Sequence, residues 1–120
     1  MKPPTFNIEI YQGDTFSMFM RLRALDSNGD PGDYIDLTGS TAKAQIRANA
    51  AAVDPPDAEF TCTLGNQGTV PGSLFVELTH TQTAALTGNG VYDVQVTHAD
   101  GRIRTYLAGT TTLIKEITRP

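Results

Sequence analysis

The sequence has one cysteine, two histidines and no tryptophan among its 120 residues, and these scarcities exclude several kinds of site. A single thiol, Cys62, forms no intramolecular disulfide and supplies no thiolate-rich zinc site. Charged residues make up 18% of the chain and the formal net charge is −4. We therefore expect no basic surface for neutralising phosphates and no nucleic-acid partner.

Long hydrophobic runs are also missing. No segment is long and apolar enough to span a bilayer, and the opening MKPPTFNIEIYQGD has prolines and polar residues where a signal peptide has an apolar stretch. We therefore expect synthesis in a cytoplasm and no membrane partner. The length suits one two-layer core, so we predict a single domain over residues 1–120.

The sequence does contain short segments in which apolar and polar residues alternate, separated by turn residues. This pattern is typical of antiparallel β-structure. The predicted strands lie around residues 6–10, 15–25, 41–47, 60–64, 74–78, 92–96, 103–107 and 111–117. The proline-containing segment 48–57 is predicted to be a loop. A capping hydroxyl at Thr81 and a terminal Gly88 allow at most one short helical turn near 81–87. The fold class is therefore predicted as an all-β antiparallel sandwich of seven or eight strands.

The clearest hairpin signal is Asp100-Gly101, a dipeptide favoured in two-residue type I′ turns. The predicted register pairs Ala99 with Arg102, Val96 with Thr105 and Val94 with Leu107. It places one apolar face on Tyr92, Val94, Val96, Ile103 and Leu107.

Residues suited to catalysis or metal binding are few. None of the four serines occupies the Gly-x-Ser-x-Gly elbow of a hydrolase. His80 and His98, with Asp93 or Asp100, are the candidate metal ligands. Both imidazoles fall at a strand end or beside a hairpin turn, where a partly exposed histidine needs no ligand to explain it. We predict no catalytic residue, no cofactor and no metal site.

One spacing resembles a calcium loop. Asp26, Asn28 and Asp30 match its first three ligands, but Pro31 stands where the loop needs glycine and Leu37 where it needs glutamate. A polar hairpin turn is the favoured interpretation, and weak calcium binding by residues 26–33 stays open.

Three aromatic residues fall on the faces opposite their strands' main apolar stripe: Phe19, Phe75 and Tyr106. They are the candidate interface residues. The alternative is chance, because a few exposed aromatic residues are ordinary on sheet surfaces.

Several fragments stand out in order along the chain. They are Tyr11-Gln-Gly-Asp-Thr-Phe, Ile35-Asp-Leu-Thr-Gly, Ala44-Gln-Ile-Arg47, Thr83-Ala-Ala-Leu, Gly90-Val-Tyr-Asp-Val, Leu107-Ala-Gly109 and Ile117-Thr-Arg119. As a set they resemble a family of small phage domains related to the N-terminal immunoglobulin-like domain of siphophage baseplate upper proteins. The positions that carry this motif are Gly13, Asp14, Asp36, Leu37, Thr38, Gly39, Arg47, Tyr92, Asp93, Gly109, Thr118 and Arg119.

The resemblance implies an immunoglobulin-like sandwich that is a structural protein of a bacteriophage virion, in the tail or baseplate. It implies synthesis in the host bacterial cytoplasm and other virion proteins as partners, in a homo-oligomer or symmetric assembly, and it brings no catalytic residues. In baseplate upper proteins a linker and a receptor-facing part follow the domain, whereas this sequence stops at Pro120, so we expect a building block of the tail or baseplate: an adaptor, decoration or tail-completion subunit. The alternative is a carbohydrate- or receptor-binding module of a phage tail fibre. The position within the virion stays open.

The motif residues also have physical roles that the sequence predicts. Glycines 13, 39 and 109 suit turns or bulges. Asp36 and Thr38 can bond neighbouring backbone at a strand entrance. Asp93 is expected to pair with Arg47 or Arg104 across strands.

Overall fold

The computed structural model describes residues 3–25 and 28–118 and consists mainly of β-strands with one short helix. None of the described helices is long and apolar enough to cross a membrane. The elements are β1 (Ile8–Tyr11), β2 (Phe16–Arg21), β3 (Arg23–Leu25), β4 (Pro31–Tyr34), β5 (Thr41–Arg47), β6 (Ala58–Leu64), β7 (Ser73–Leu78), α1 (His80–Ala84), β8 (Gly90–Thr97) and β9 (Ile103–Ile114).

Seven strands form one mixed sheet in the order β1-β9-β8-β5-β6-β7-β2, while β3 and β4 form a separate ribbon. Strand β1 runs parallel to β9, and the other neighbours are antiparallel. Strand β6 pairs with β5 through residues 58–60 and with β7 through residues 61–64, so it passes from one half of the sheet to the other. The β-rich class is confirmed. The sheet is mixed where an antiparallel one was predicted, and the ribbon raises the number of strands above eight.

The core lies on one face of these strands and follows the predicted alternation. On β8, for example, Tyr92, Val94 and Val96 are buried while Asp93 and Gln95 are exposed. Burying a Val, Leu or Ile side chain contributes about 1.5–3 kcal/mol. The largest fully buried apolar side chains are Ile10, Leu37, Ile46, Leu74, Val76, Leu78, Val94 and Val96.

The predicted single strand over 15–25 is interrupted at Leu22, which separates β2 from β3. The Leu22 N–H donates to the carbonyl of Gly72 at 2.9 Å, and its own carbonyl accepts from the Ile35 N–H at 2.9 Å. The backbone therefore leaves the ladder of β7 here and enters the ribbon. The apolar alternation continues through this change of partner, so the sequence pattern did not reveal it.

The β8–β9 hairpin has a different turn from the one predicted. A type I′ turn needs positive φ at both central residues, and Gly101 (φ +90°) is the only residue of this loop with positive φ. The Gly101 N–H donates to the His98 carbonyl at 2.9 Å and the His98 N–H to the Arg102 carbonyl at 2.7 Å, which makes a three-residue loop with a glycine bulge. The cause is Asp100, whose Oδ1 accepts the Arg102 N–H at 3.0 Å and fixes the turn one residue earlier.

This turn changes the register near the hairpin tip. Val94 faces Leu107 as predicted, but Val96 faces Arg104, and a bulge after Val94 absorbs the extra residue. The predicted pairs Val96–Thr105 and Ala99–Arg102 are therefore wrong. Ile103 was placed on the buried face and is instead 61% exposed.

Three element boundaries also differ from the predictions. The strand predicted at 111–117 is the end of β9, which continues without a break from Ile103 to Ile114. Phe6 lies outside β1 and is exposed. The helix is capped by Thr79 rather than Thr81, because Gln82 lies three residues after Thr79 and completes a capping box.

Candidate functional site

Two of the three candidate interface residues lie side by side on the outer surface of the sheet. Phe19 on β2 is directly opposite Phe75 on β7, and their ring centroids are 5.1 Å apart. Their exposed fractions are 53% and 39%. The neighbours Met18 and Met20 pack against the core, so alternation along β2 forces the Phe19 ring outward. The predicted orientation of both phenylalanines is confirmed.

We call Phe19 and Phe75, together with Thr61 and Thr63 on β6, the aromatic face. Thr63 lies opposite Phe75, and both threonines are exposed. Strand β2 is the last strand of the sheet order, so the aromatic face reaches an edge of the sheet in the described part of the chain. Paired exposed rings beside a strand edge are typical of a surface that another polypeptide covers.

Tyr106 lies apart from this pair, on β9. Its hydroxyl is 2.7 Å from His98 Nε2, and its ring packs against the core. The guanidinium of Arg104 is 5.6 Å from the Tyr106 ring. The structure therefore joins two of the predicted interface residues and places the third elsewhere.

The motif residues Gly13 and Asp14 form a turn that is tied to helix α1. Thr83 is fully buried; its Oγ1 accepts the Gly13 N–H at 3.0 Å and its hydroxyl donates to the Asp14 carbonyl at 2.8 Å. The Gln12 side chain donates to the Leu86 carbonyl at 3.0 Å. Two fragments that lie far apart in sequence thus meet here, and their role is to hold the turn after β1 against the helix.

The second motif cluster is the turn at residues 36–39. Asp36 Oδ1 accepts the N–H of Thr38 at 2.9 Å, as predicted. The Thr38 hydroxyl was predicted to bond backbone and instead donates to the same Oδ1 at 2.6 Å. These bonds lower the pKa of Asp36. Gly39 lies in the turn, as predicted. Leu37 is fully buried.

Gln67 holds this turn in place, although no sequence pattern predicts this role. Its Oε1 accepts the N–H of Leu37 at 3.0 Å and that of Gly72 at 2.8 Å. Its Nε2 donates to the carbonyls of Gly65 at 3.1 Å and Ser73 at 3.0 Å. A loop glutamine has no periodicity, so only the folded chain shows that its amide joins two loops.

Tyr92 and Gly109 act together where the chain enters β1. Tyr92 is 3% exposed and its hydroxyl donates to the Phe6 carbonyl at 2.6 Å. Burial raises the pKa of Tyr92 to about 12. Gly109 is directly opposite Tyr92, and a Cβ there would collide with the Phe6 carbonyl. Gly109 therefore lies inside β9 to allow close approach, which corrects the prediction of a turn or bulge.

The remaining motif residues lie near the surface. Arg47 bonds Asp54 at 2.6 Å and Gln45 at 2.8 Å, rather than the predicted partner Asp93. This pairing brings the 48–57 loop back onto β5. Thr118 is exposed after β9, and Arg119 lies outside the described residues.

The residues considered as metal ligands or nucleophiles lie apart from one another in the structure. Burial, with a smaller contribution from the charge of Glu59, raises the pKa of Cys62 to about 11, so the thiol is protonated at neutral pH. His80 begins helix α1, whereas His98 contacts Tyr106 in the β8–β9 hairpin. Within residues 3–25 and 28–118, no group of three His, Cys, Asp or Glu side chains could hold a metal ion. Asp26, the first residue of the calcium-like spacing, lies outside the described residues.

Comparison with known proteins adds little. No protein-family model matches the sequence, and no curated protein matches it. Among solved structures, the chain is similar to a family 123 glycoside hydrolase from Clostridium perfringens, studied for glycolipid glycan hydrolysis, at 14% identity and a TM-score of 0.39. The match covers 96% of this chain and 24% of that enzyme, so the chain spans about a quarter of its length. A likeness at this level carries no argument about function.

Proposed function

We propose that the chain is an immunoglobulin-like sandwich that serves, without catalytic activity, as a structural protein of a bacteriophage virion, in the tail or baseplate. The resemblance of its ordered sequence fragments to phage domains supports the setting. The single structural observation that carries the role is the aromatic face, because paired exposed rings at a sheet edge suit docking to other proteins.

The order of the strands supports the immunoglobulin-like fold. In that fold, strands B, E and D form one sheet and strands C, F and G the other. Here β2, β7 and the second half of β6 are neighbours in the first arrangement, and β5, β8 and β9 in the second. Strand β1 joins β9 in parallel, as a first strand that has moved to the second sheet.

The direct test is to purify particles of the phage that encodes this chain and to analyse them by mass spectrometry and antibody labelling in electron micrographs. We expect a stoichiometric copy number and labelling at the tail or baseplate. Absence from the particles would overturn the proposal.

A second candidate function is a carbohydrate- or receptor-binding module. The observation in its favour is a hollow of about 790 Å³ on the outer surface of β5, β8 and β9, with both polar and apolar lining. Its lining includes Lys43, Gln45, Arg47, Asp93 and Gln95, whose side chains are suited to sugar hydroxyls. A glycan array would support this function if binding occurs and is lost in Asp93→Ala. No binding on the array would leave the virion role as the better proposal.

A further inference from the structure

In the described part of the chain, the main sheet leaves the outer edges of β1 and β2 and one stretch of β9 without neighbours. Strand β2 ends the sheet order on one side. On the other side, β1 pairs only with residues 111–114 of β9, and Thr5 forms a single bridge with Ala108. Residues 103–107 of β9 therefore have β8 on one side and no strand on the other. Backbone N–H and C=O groups along such edges are available to an added strand.

The edge of β2 and this stretch of β9 line the same cleft, which has a volume of about 620 Å³. Met20 and Leu22 contribute from the β2 side, and Tyr106 and Leu107 from β9. All four side chains belong to the core or pack against it. The lining includes residues 20–24, which run from the end of β2 through Leu22 into β3, and residues 104–107 of β9. Four or five residues span about 15 Å at the rise of a β-strand. The cleft has the length of a short strand and an apolar floor.

The lining of this cleft carries more positive than negative charge, although the chain as a whole has a net charge of −4. It contains four of the six arginines of the sequence: Arg21, Arg23, Arg102 and Arg104. Arg102 is already paired with Asp100, Nε to Oδ2 at 2.8 Å. The one carboxylate among the described lining residues, that of Asp36, accepts two hydrogen bonds from Thr38.

Two of these arginines are held in position. Arg21 donates to the Pro71 carbonyl at 3.2 and 3.1 Å, and its guanidinium lies 3.5 Å from the centre of the Tyr34 ring. Arg23 donates to the Gly32 carbonyl at 2.9 Å. Fixed guanidinium groups recognise carboxylates with little loss of side-chain entropy.

We propose that this cleft binds an extended acidic segment of a partner polypeptide as an added β-strand between β2 and β9. Alternate side chains of the segment are aliphatic and contact the apolar floor, and those between them are carboxylates that pair with the arginines. The charge of the cleft, opposite to that of the molecule, selects an acidic partner. The cleft and the aromatic face share the edge of β2 but lie on opposite sides of it, since Met20 packs against the core and Phe19 points outward. The inference does not depend on a virion role.

The probe is an array of hexapeptides in which Asp or Glu alternates with Val, Leu or Ile, compared with an array in which Lys replaces the acidic residues. The purified full chain is expected to bind the acidic peptides and not the basic ones. The best acidic peptide is then labelled, and its dissociation constant is measured by fluorescence anisotropy. Backbone amide signals of residues 17–23 and 103–107 are expected to shift on binding.

The double variant Arg23→Glu/Arg104→Glu is expected to weaken binding by about tenfold or more. Lys43→Glu/Lys115→Glu makes the same change of charge away from the cleft and is the matched control. A peptide with N-methylated backbone amides tests strand pairing, since it keeps the charges and removes the donors; its binding is expected to be lost. Circular dichroism checks that both double variants fold.

Three results would overturn the proposal: no preference for acidic peptides, equal loss of binding in the two double variants, or full binding of the N-methylated peptide. Analytical ultracentrifugation of the chain alone tests whether a second copy of the chain occupies the cleft instead of a partner. A dimer of the chain alone that is abolished by Arg23→Glu/Arg104→Glu would show that a second copy fills the cleft, and would also overturn it.

Discussion

At the scale of single residues, two polar side chains hold the loops together: Gln67, which is half-buried, and Thr83, which is fully buried. Gln67 bonds four backbone groups from two separate loops, and Thr83 joins the turn after β1 to helix α1. A buried backbone group that loses its partner costs about 1–3 kcal/mol. Such residues therefore influence stability as strongly as core residues.

Replacing Gln67 by glutamate tests this role with almost no change in shape. The variant keeps the acceptor for Leu37 and Gly72 but turns the donor to the Gly65 and Ser73 carbonyls into a carboxylate oxygen. We expect the free energy of unfolding to fall by about 2–3 kcal/mol in urea titration. Gln95→Glu, at an exposed position on β8, is the control and should change it by less than about 0.5 kcal/mol. Equal effects of the two variants would show that the Gln67 bonds contribute little.

Tyr92 gives a prediction about alkaline pH. Its pKa is about 12 in the folded chain against 10.0 for the free group, so folding favours the neutral phenol. The contribution of the neutral Tyr92 phenol to the free energy of unfolding is fully present below pH 10 and is lost as the pH rises from 10 to 12. Tyr92→Phe should therefore reduce the free energy of unfolding by about 1 kcal/mol at pH 7, through the lost bond to Phe6, and this deficit should disappear above pH 10.

The comparison of wild type with Tyr92→Phe removes other alkaline effects. The pKa of Cys62 is raised from 9.0 to about 11 in the folded chain, so its thiol also contributes stability that is lost as the pH rises through this range. Because Cys62 is present in both proteins, this loss is the same in both. Denaturation curves at pH 7, 9, 10.5 and 11.5 suffice. A deficit that stays constant across this range would contradict the assigned cause.

At the scale of elements, alternation predicted strands well where one partner is kept throughout. Strand β5 was predicted over 41–47 and is observed as Thr41–Arg47. The strand over 15–25 changes partner at Leu22, and the tip of the β8–β9 hairpin depends on a side-chain bond of Asp100. Both features depend on backbone bonding that the order of apolar residues does not encode. The outward orientation of Phe19 and Phe75 was predictable for the same reason that β5 was.

Gly72 enforces the break between β2 and β3, and a matched pair of variants tests it. Gly72 and Gly101 both have positive φ, +82° and +90°, so alanine adds a similar strain of about 1–2 kcal/mol at either position. At Gly101 a Cβ meets nothing within 4 Å, whereas at Gly72 it would lie 2.5 Å from the Leu22 carbonyl oxygen. We expect Gly101→Ala to cost about 1–2 kcal/mol and Gly72→Ala at least about 2 kcal/mol more, measured by thermal and urea denaturation. Equal losses would show that the backbone at Leu22 can move away.

At the scale of the whole molecule, the order of the strands in the sheet could not be predicted from the sequence. Strand β1 pairs in parallel with the end of β9, about a hundred residues later, and no local pattern marks that pairing. The position of this contact leaves residues 103–107 of β9 without a second neighbouring strand, beside the basic cleft. The sequence could suggest Phe19 and Phe75 as an interface, but it could not bring the arginines of β2, β3 and β9 together.

The virion role makes a prediction about the aromatic face that can be separated from folding. In Phe19→Ser/Phe75→Thr, both rings are replaced by residues suited to an exposed strand, and the lost ring contact is worth about 0.5–1.5 kcal/mol. The variant should therefore fold, while its copy number in purified particles should fall at least about tenfold, as measured by quantitative mass spectrometry. Ile103→Ser removes an exposed apolar side chain on β9 and is the control, with an unchanged copy number. Normal incorporation of the double variant would show that the aromatic face is not the docking surface, even if the chain itself is found in the particle.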